Sequence, residues 1–399
     1  MENYVARFEM LGFGMIVHFG LYSILGKGEW YLALNDKADK AKYESLTSKF
    51  VVSKNWAKEL VKTAKESGCK YITLTVRHHD GFSLYDTKGL SDFDVMHSAC
   101  RRDLIKEFVD ECNAQGIMPV FYHTMLDWHC PEYKNDFPKH IDYLEKSLRL
   151  LCTNYGKIGG FWFDGTWDKT DVDWQENRLY GLIKELQPEA MIINNSGLSA
   201  LGKLGHDLLD GVTFERGKPR CCVCETKHVA GEMCQVLNDH WGYAKDDCNY
   251  KSLKSLIEDL VDCRKYNCNF LLNTGLTGRG TIREIDKCIF LEIGKWIKAN
   301  KGFIYSAKAC DVTAENADVL YDDNNYYAII KNVGMSADPN VGLKNNLKSV
   351  KINTEGKIKN VKWLDNGKAV KTKNNSFEVV PFAYGTSRAV RVARFTIEK

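Results

Sequence analysis

The segment Gly159-Gly160-Phe161-Trp162-Phe163-Asp164-Gly165 is an apolar run that stops on a carboxylate. Aspartate is depleted in strands and costly to bury unpaired. At this place it either caps the next turn, with Gly165 behind it, or stands at the mouth of a site as a nucleophile or metal ligand. Trp162, two residues earlier, points to the same side of an extended chain and can wall the same pocket. A second polar cluster, Arg77-His78-His79-Asp80-Gly81-Phe82, also follows an apolar run. Adjacent histidines in a strand face opposite ways, so both reach one ligand only where the backbone turns, and Gly81 permits that turn. His18, in Val17-His18-Phe19-Gly20, and the run Glu29-Trp30-Tyr31 add polar groups beside flat rings. Such a mixture suits a sugar, whose apolar face stacks on an aromatic ring while its hydroxyls need charged partners.

Other chemistries use overlapping residues. A metal-dependent hydrolase would take His78, His79, Asp127 and Asp164 as ligands. The cluster Cys221-Cys222-Val223-Cys224 has one C-x-x-C spacing but lacks a second pair or matched histidines, with Cys234 and His228 off that pattern. The expectation there is reduced thiols. The loop Gly275-Leu276-Thr277-Gly278-Arg279-Gly280 has the wrong glycine spacing for a dinucleotide turn. It reads as a tight loop, and a sugar-phosphate enzyme would use it as an anion cradle.

Period and punctuation place these groups on elements. Strands are expected at Gly14 to His18, Tyr71 to Val76, Met118 to His123, Gly160 to Phe163, Met191 to Asn194, Gly211 to Glu215 and Asn269 to Asn273. Helical patterns fall between them at Asn55 to Ser67, Asp103 to Gln115, Lys139 to Tyr155, Asp173 to Leu186 and Ser252 to Tyr266, with Gly68, Gly116 and Gly156 just past three of them. Alternating strands and helices argue a parallel sheet covered by helices, either an open doubly wound sheet or a (β/α)8 barrel. The barrel is favoured because His18, Arg77 to Asp80, His123, Asp127, Asp164 and Glu215 all fall at or just past carboxyl ends of strands, where barrel sites are built. After a helix from Thr281 to about Asn300 the texture changes to short β-type runs split by Asn-Asn, Asp-Asn-Gly and Glu-Gly turns. The expected organisation is therefore a (β/α)8-like barrel over 1–302 followed by a C-terminal β-sandwich over 303–399.

The chain has 399 residues, 44% of them hydrophobic, enough for a large domain and a smaller one. Fifty-five basic against 52 acidic residues leave a charge of +3, spread without blocks, so no footprint for nucleic acid or an acidic membrane is expected. No apolar run approaches the roughly 18 residues of a membrane span. The start, from Met1 through Glu2 to Arg7, lacks the layout of a secretory signal, and the 14 cysteines are sparse for a disulfide scaffold. A cytoplasmic location is the expectation.

Several segments, in order, carry a specific resemblance: His18-Phe19-Gly20-Leu21-Tyr22-Ser23, Glu29-Trp30-Tyr31, His78-His79-Asp80-Gly81-Phe82, Tyr122 to Trp128, Trp162-Phe163-Asp164-Gly165, Glu232-Met233-Cys234 with Trp241-Gly242-Tyr243, and Asn269-Phe270-Leu271-Leu272-Asn273. Together they resemble the motifs of glycoside hydrolase family 29, the α-L-fucosidases. The resemblance implies a barrel followed by a β-sandwich, and a retaining mechanism through a covalent fucosyl-enzyme. It implies no metal and no cofactor, with a fucosylated oligosaccharide as substrate; a catalytically silent fucose-binding protein would keep the same histidines and tryptophans but give no turnover. Carried over by position, the nucleophile falls on Asp164. The sugar-binding groups fall on His18, Glu29, Trp30, His78, His79, Tyr122, Trp162, Glu232 and Trp241. Glu215, in Val212-Thr213-Phe214-Glu215-Arg216, resembles the segment that supplies the acid/base, and Glu232 is its rival. Many members have an arginine where this chain has Asn195, which supplies no charge: either another cation substitutes, with Arg77 and Arg216 as candidates, or the sugar is held differently.

Overall fold

The structure, a computed structural model, describes residues 3–222, 224–335 and 347–398. Met1 and Glu2 of the amino-terminal segment and Val223 of the cysteine cluster lie outside the described residues.

Eight parallel strands close a barrel in chain order: β1 (Phe13–His18), β2 (Tyr71–Arg77), β3 (Met118–Thr124), β4 (Gly160–Asp164), β5 (Met191–Asn194), β6 (Gly211–Thr213), β7 (Ala230–Gln235) and β8 (Cys268–Gly275). Closure is made by β8 on β1, in register from Phe13 opposite Phe270 to His18 opposite Gly275. Seven of these strands match the sequence expectation, although the sixth stops at Thr213, short of Glu215. The sequence reading misses β7. Ala230-Gly231-Glu232-Met233-Cys234-Gln235 has neither a continuous nor an alternating apolar run, and it becomes a strand because β6 and β8 pair with it on both sides.

Six longer helices pack outside: α1 (Trp56–Glu66), α2 (Leu104–Gln115), α3 (Phe137–Asn154), α4 (Glu176–Leu186), α5 (Leu253–Lys265) and α6 (Glu284–Ala299). In α2 the buried Leu104, Ile105, Phe108, Val109 and Cys112 recur at helical spacing, the Asp103 carboxylate caps the start by accepting from the Lys106 N–H, and Gly116 stops the helix in the left-handed region. Among the described residues no helix follows β5 or β6, which makes the barrel incomplete in its outer layer. Those two connections are loops, and they carry Asn195 and Glu215.

Large side chains fill the bore. Ile16, Tyr71, Val120, Tyr122, Trp162, Met191, Ile193 and Leu271 form one apolar cluster, plugged from the amino-terminal end by Val5 and Phe8 of the short helix Tyr4–Glu9. The site can therefore open only at the carboxyl ends of the strands.

After a turn at Phe303–Tyr305 the chain forms two antiparallel sheets. The strands are β9 (Lys308–Ala309), β10 (Thr313–Glu315), β11 (Asp318–Tyr321), β12 (Tyr326–Ile330), β13 (Ser349–Asn353), β14 (Lys357–Trp363), β15 (Thr372–Lys373), β16 (Ser376–Glu378) and β17 (Arg391–Glu398). Sheet order is β10-β13-β16-β15 and β14-β17-β12-β11-β9, and Ile330, Val350, Ile352, Trp363, Phe377 and Phe395 share one core. The interior strand β17, between β14 and β12, is also absent from the sequence reading. Arg391 and Arg394 interrupt its apolar pattern, yet Arg391 is buried with its guanidinium 4.1 Å from the centre of the Trp363 ring.

Candidate active site

At the carboxyl ends of the barrel strands a narrow cavity is lined by Ile16, His18, Trp30, His78, His79, Tyr122, Trp162, Asp164, Trp167, Asn195, Glu215 and Trp241. Strand alternation explains who enters it. Tyr122 of β3 and Trp162 and Asp164 of β4 face inward, whereas His123, between Tyr122 and Thr124, turns outward against Phe163 and hydrogen-bonds the Thr124 carbonyl at 2.8 Å.

Asp164 is held by donors. Its Oδ1 accepts from the Gly165 N–H at 2.9 Å, from Trp167 Nε1 at 2.8 Å and from Asn195 Nδ2 at 3.2 Å. Its Oδ2 accepts from the Tyr122 hydroxyl at 2.8 Å and lies 3.5 Å from His79 Nε2. Burial by itself would raise its pKa, but the bonds from His79, Trp167 and Tyr122 reverse that and hold it below the ordinary carboxylate value. Glu215, on the loop beyond β6, goes the other way. Burial raises its pKa, the hydrogen bond from Asn195 opposes the rise, and the charge on Asp164 adds to it. Two carboxyl groups whose surroundings drive their pKa values apart are an ionised base or nucleophile and a protonated acid.

Their separation follows from Asn195. Its Nδ2 is 3.2 Å from Asp164 Oδ1 and 2.8 Å from Glu215 Oε2. The ~120° spread of an amide's two N–H bonds then puts these oxygens about 5 Å apart, within the range of roughly 5–5.5 Å at which the second carboxylate attacks the sugar directly.

Around the pair stand rings. Tyr122 stacks between Trp162 and His78, with centroids 5.4 and 5.6 Å away, and Trp30 meets His79 at 5.4 Å and Trp167 at 6.1 Å. His18 lies 5.4 Å from Trp241 and bonds Asn273 Oδ1 through Nδ1 at 2.7 Å. Burial drives His18 and His78 towards the neutral form, suited to hydroxyls that must both give and receive protons.

Two expected contacts lie behind the wall. Glu29 is buried and accepts from the Gly242 N–H at 2.7 Å. Glu232 is 1% exposed in the bore, where its carboxyl accepts from Trp162 Nε1 at 2.8 Å and from the Tyr71 hydroxyl. It supports the tryptophan from below and does not line the cavity, which leaves Glu215 as the second carboxyl there. The expectation that another cation stands in at Asn195 is corrected for Arg77, whereas the charge of Arg216 does act on Glu215. Arg77 is fully buried and donates to Asp127 Oδ2 at 2.7 Å, away from the cavity; Arg216 lies over Trp241 at 5.2 Å and donates to the Asp239 carbonyl. The sequence reading missed Trp167 and the bridging role of Asn195. A tryptophan three residues beyond the strand-end aspartate was the available signal for the first.

The alternative chemistries find less support. Asp127 is tied to Arg77, apart from Asp164, and among the described residues no three His, Cys, Asp or Glu side chains are grouped to hold a metal. In the Gly275 to Gly280 loop the N–H groups of Thr277 and Gly280 are satisfied by Thr281 and Thr277 carbonyls, so it is a self-bonded turn. A roomier cavity of about 370 Å³ lies beyond Gly81, lined by Asp127, His129, Tyr143 and Lys146, but the inward-facing carboxyl pair is not in it.

A parallel barrel with a pair of facing carboxyls inside an aromatic cage at its carboxyl end defines a barrel glycoside hydrolase. The family model for alpha-L-fucosidase matches residues 2–302. The tissue alpha-L-fucosidase of Bos taurus is 26% identical over 358 residues, covering 82% of this chain and 74% of that one. Alpha-L-fucosidase isoenzyme 1 from Paenibacillus thiaminolyticus superposes with a TM-score of 0.86 at 29% identity over 99% of both chains. The alpha-L-fucosidase AlfC from Lactobacillus casei, in complex with alpha-L-fucose product, gives 0.64 at 26% identity, covering 75% of this chain and all of that one. The chain belongs to the α-L-fucosidase family, and its members are glycoside hydrolases.

Proposed function

We propose that this protein hydrolyses terminal α-L-fucosides of oligosaccharides or glycoconjugates with net retention, through a fucosyl ester on Asp164. The observation that carries the reading is the single amide nitrogen of Asn195 bonded to both Asp164 and Glu215, which puts the two carboxyl oxygens about 5 Å apart, the short spacing of a retaining pair. In the first step an Asp164 oxygen bonds the anomeric carbon, the bond to the leaving oxygen breaks, and Glu215 gives that oxygen its proton. In the second, a water oxygen displaces Asp164 while its proton passes to Glu215. His18, His78 and His79 meet the sugar hydroxyls, and Trp30, Trp162 and Trp241 meet its apolar face. A reducing, cytoplasmic setting is the companion proposal, supported by thiols buried in the barrel at Cys69, Cys112, Cys234, Cys263 and Cys268.

The test uses an aryl α-L-fucoside. Asp164→Ala should lose several orders of magnitude in kcat with the fold intact, and activity above about a tenth of wild type overturns the assignment. Glu215→Ala should be accelerated by azide, which needs no base, and should yield the α-fucosyl azide. Glu232→Ala should show no such rescue. Rescue of the Glu232 variant alone would move the acid/base to that residue.

A further inference from the structure

Asn195 stands one residue past β5 and is 2% exposed, with its backbone N–H bonded to the Phe163 carbonyl at 2.8 Å. Its side-chain oxygen accepts from the Thr213 hydroxyl at 2.9 Å and from the Gly197 N–H at 3.4 Å. A backbone N–H can only donate, so the oxygen end of the amide faces Gly197 and the nitrogen end faces the two carboxyls. Both N–H bonds are then spent, one on Asp164 Oδ1 and one on Glu215 Oε2. We propose that Asn195 is a positioning residue of the reaction, a neutral shared donor that fixes the separation of the two carboxyls and serves whichever one carries the negative charge. This inference rests on the roles given above to Asp164 and Glu215.

The charge balance shows why a neutral donor fits. Before reaction Asp164 is ionised and Glu215 holds a proton. When the Asp164 oxygen forms its ester bond and the Glu215 proton leaves with the aglycone oxygen, the charge sits on Glu215. When water displaces Asp164 and gives a proton to Glu215, the charge returns. The pair carries one negative charge at every stage, displaced by about 5 Å, and an amide between the oxygens makes a charge-assisted bond to either without moving. A cation bonded to both oxygens would instead favour ionisation of the two carboxyls together. Glu215 is also faced by Asp164 from β4, Tyr122 from β3, Cys234 from β7, Trp241 beyond β7 and its neighbour Arg216. Asp164 is faced by His79, His18, Tyr122 and Trp167. Among the described residues, Asn195 alone donates to both.

The experiment compares Asn195→Ala, Asn195→Asp and Thr213→Val, reading kcat/KM on an aryl α-L-fucoside against pH, with thermal unfolding as a check on folding. Loss of the shared donor should lower kcat/KM by roughly 10- to 100-fold, the scale of a small misplacement of reacting groups. It should also move the basic limb of the profile, where Glu215 loses its proton, to higher pH. Asn195→Asp keeps the shape but adds a carboxyl, and should move that limb further. Thr213→Val, which only frees the Asn195 oxygen, should move it in the same direction by less. If Asn195→Ala does not fold, the other two variants carry the test. A basic limb at its wild-type position in the folded variants overturns the proposal, whatever their rates. The azide and Asp164→Ala results judge the underlying roles separately: if those hold while the limb stays fixed, only the role of Asn195 falls.

Discussion

Asp164, Glu215 and Glu232 are carboxyl groups within one barrel, and what surrounds each decides its state. Donors crowd Asp164 and keep it ionised, whereas Glu232 lies in the apolar bore with two donors, too few to offset burial, which pushes its pKa from 4.5 to about 7. A carboxyl whose folded pKa lies above its unfolded value favours folding when protonated. Its contribution is therefore intact below pH 4.5 and is lost as pH rises to about 7. Glu232→Gln stays neutral throughout. Its unfolding free energy relative to wild type should climb between pH 5 and pH 8, by up to about 3 kcal/mol, in urea denaturation at the two pH values. A difference that stays constant across that range would show Glu232 to be ionised at both ends.

Element by element, the site depends on how β4 ends. Gly165 turns the chain at φ +96°, and a Cβ there would sit 2.6 Å from the Leu126 Cβ and 2.9 Å from its nitrogen. Both the left-handed backbone and the close approach demand glycine. The turn aims Asp164 upward and starts the 3₁₀ segment Thr166–Asp168, which returns the Trp167 N–H to the same carboxylate. Gly165→Ala should destabilise the fold by about 2–4 kcal/mol, strain and overpacking together, measured by equilibrium unfolding. It should also lower kcat by more than it raises KM, because Asp164 is displaced from the reacting carbon. A variant with wild-type stability would mean that Leu126 yields without cost. The missing helices after β5 and β6 belong to this scale as well, since loops in their place let Asn195 and Glu215 meet over the bore.

At the scale of the whole molecule, the five-stranded sheet covers an outer face of the barrel. Trp296 of α6 is 3% exposed and donates to the Val390 carbonyl at 2.9 Å, and Phe303, Ile304, Tyr327 and Val392 continue the barrel's core cluster. Ion pairs join Lys265 to Asp318 at 2.5 Å and Lys331 to Asp262. Truncation after Asn300 leaves every lining residue of the site in place but strips this apolar surface. The truncated chain should aggregate on expression, and any soluble fraction should melt several degrees below the full chain while binding the same substrate. A monodisperse, fully active product with an unchanged melting temperature would make the sheets dispensable for the barrel's stability.

The sequence alone determined the alternation of strands and helices, the carboxylate that ends the Trp162 strand, the paired histidines beside Gly81 and the shift to β texture after Asn300. Each of these is written in residues close along the chain, where apolar period, glycine and capping groups act locally. Tertiary structure decided what distant segments do to one another. It made a strand of Ala230–Gln235 by pairing it on both sides, and it sank Glu232 beneath Trp162 while leaving Glu215 in the cavity. It turned Arg77 onto Asp127 and brought Asn195 between carboxyls from two other segments. A hydrogen bond or a desolvation acts over a few ångströms of space with no regard to separation along the chain. The partners of a buried polar group are therefore fixed only once the barrel has closed around it.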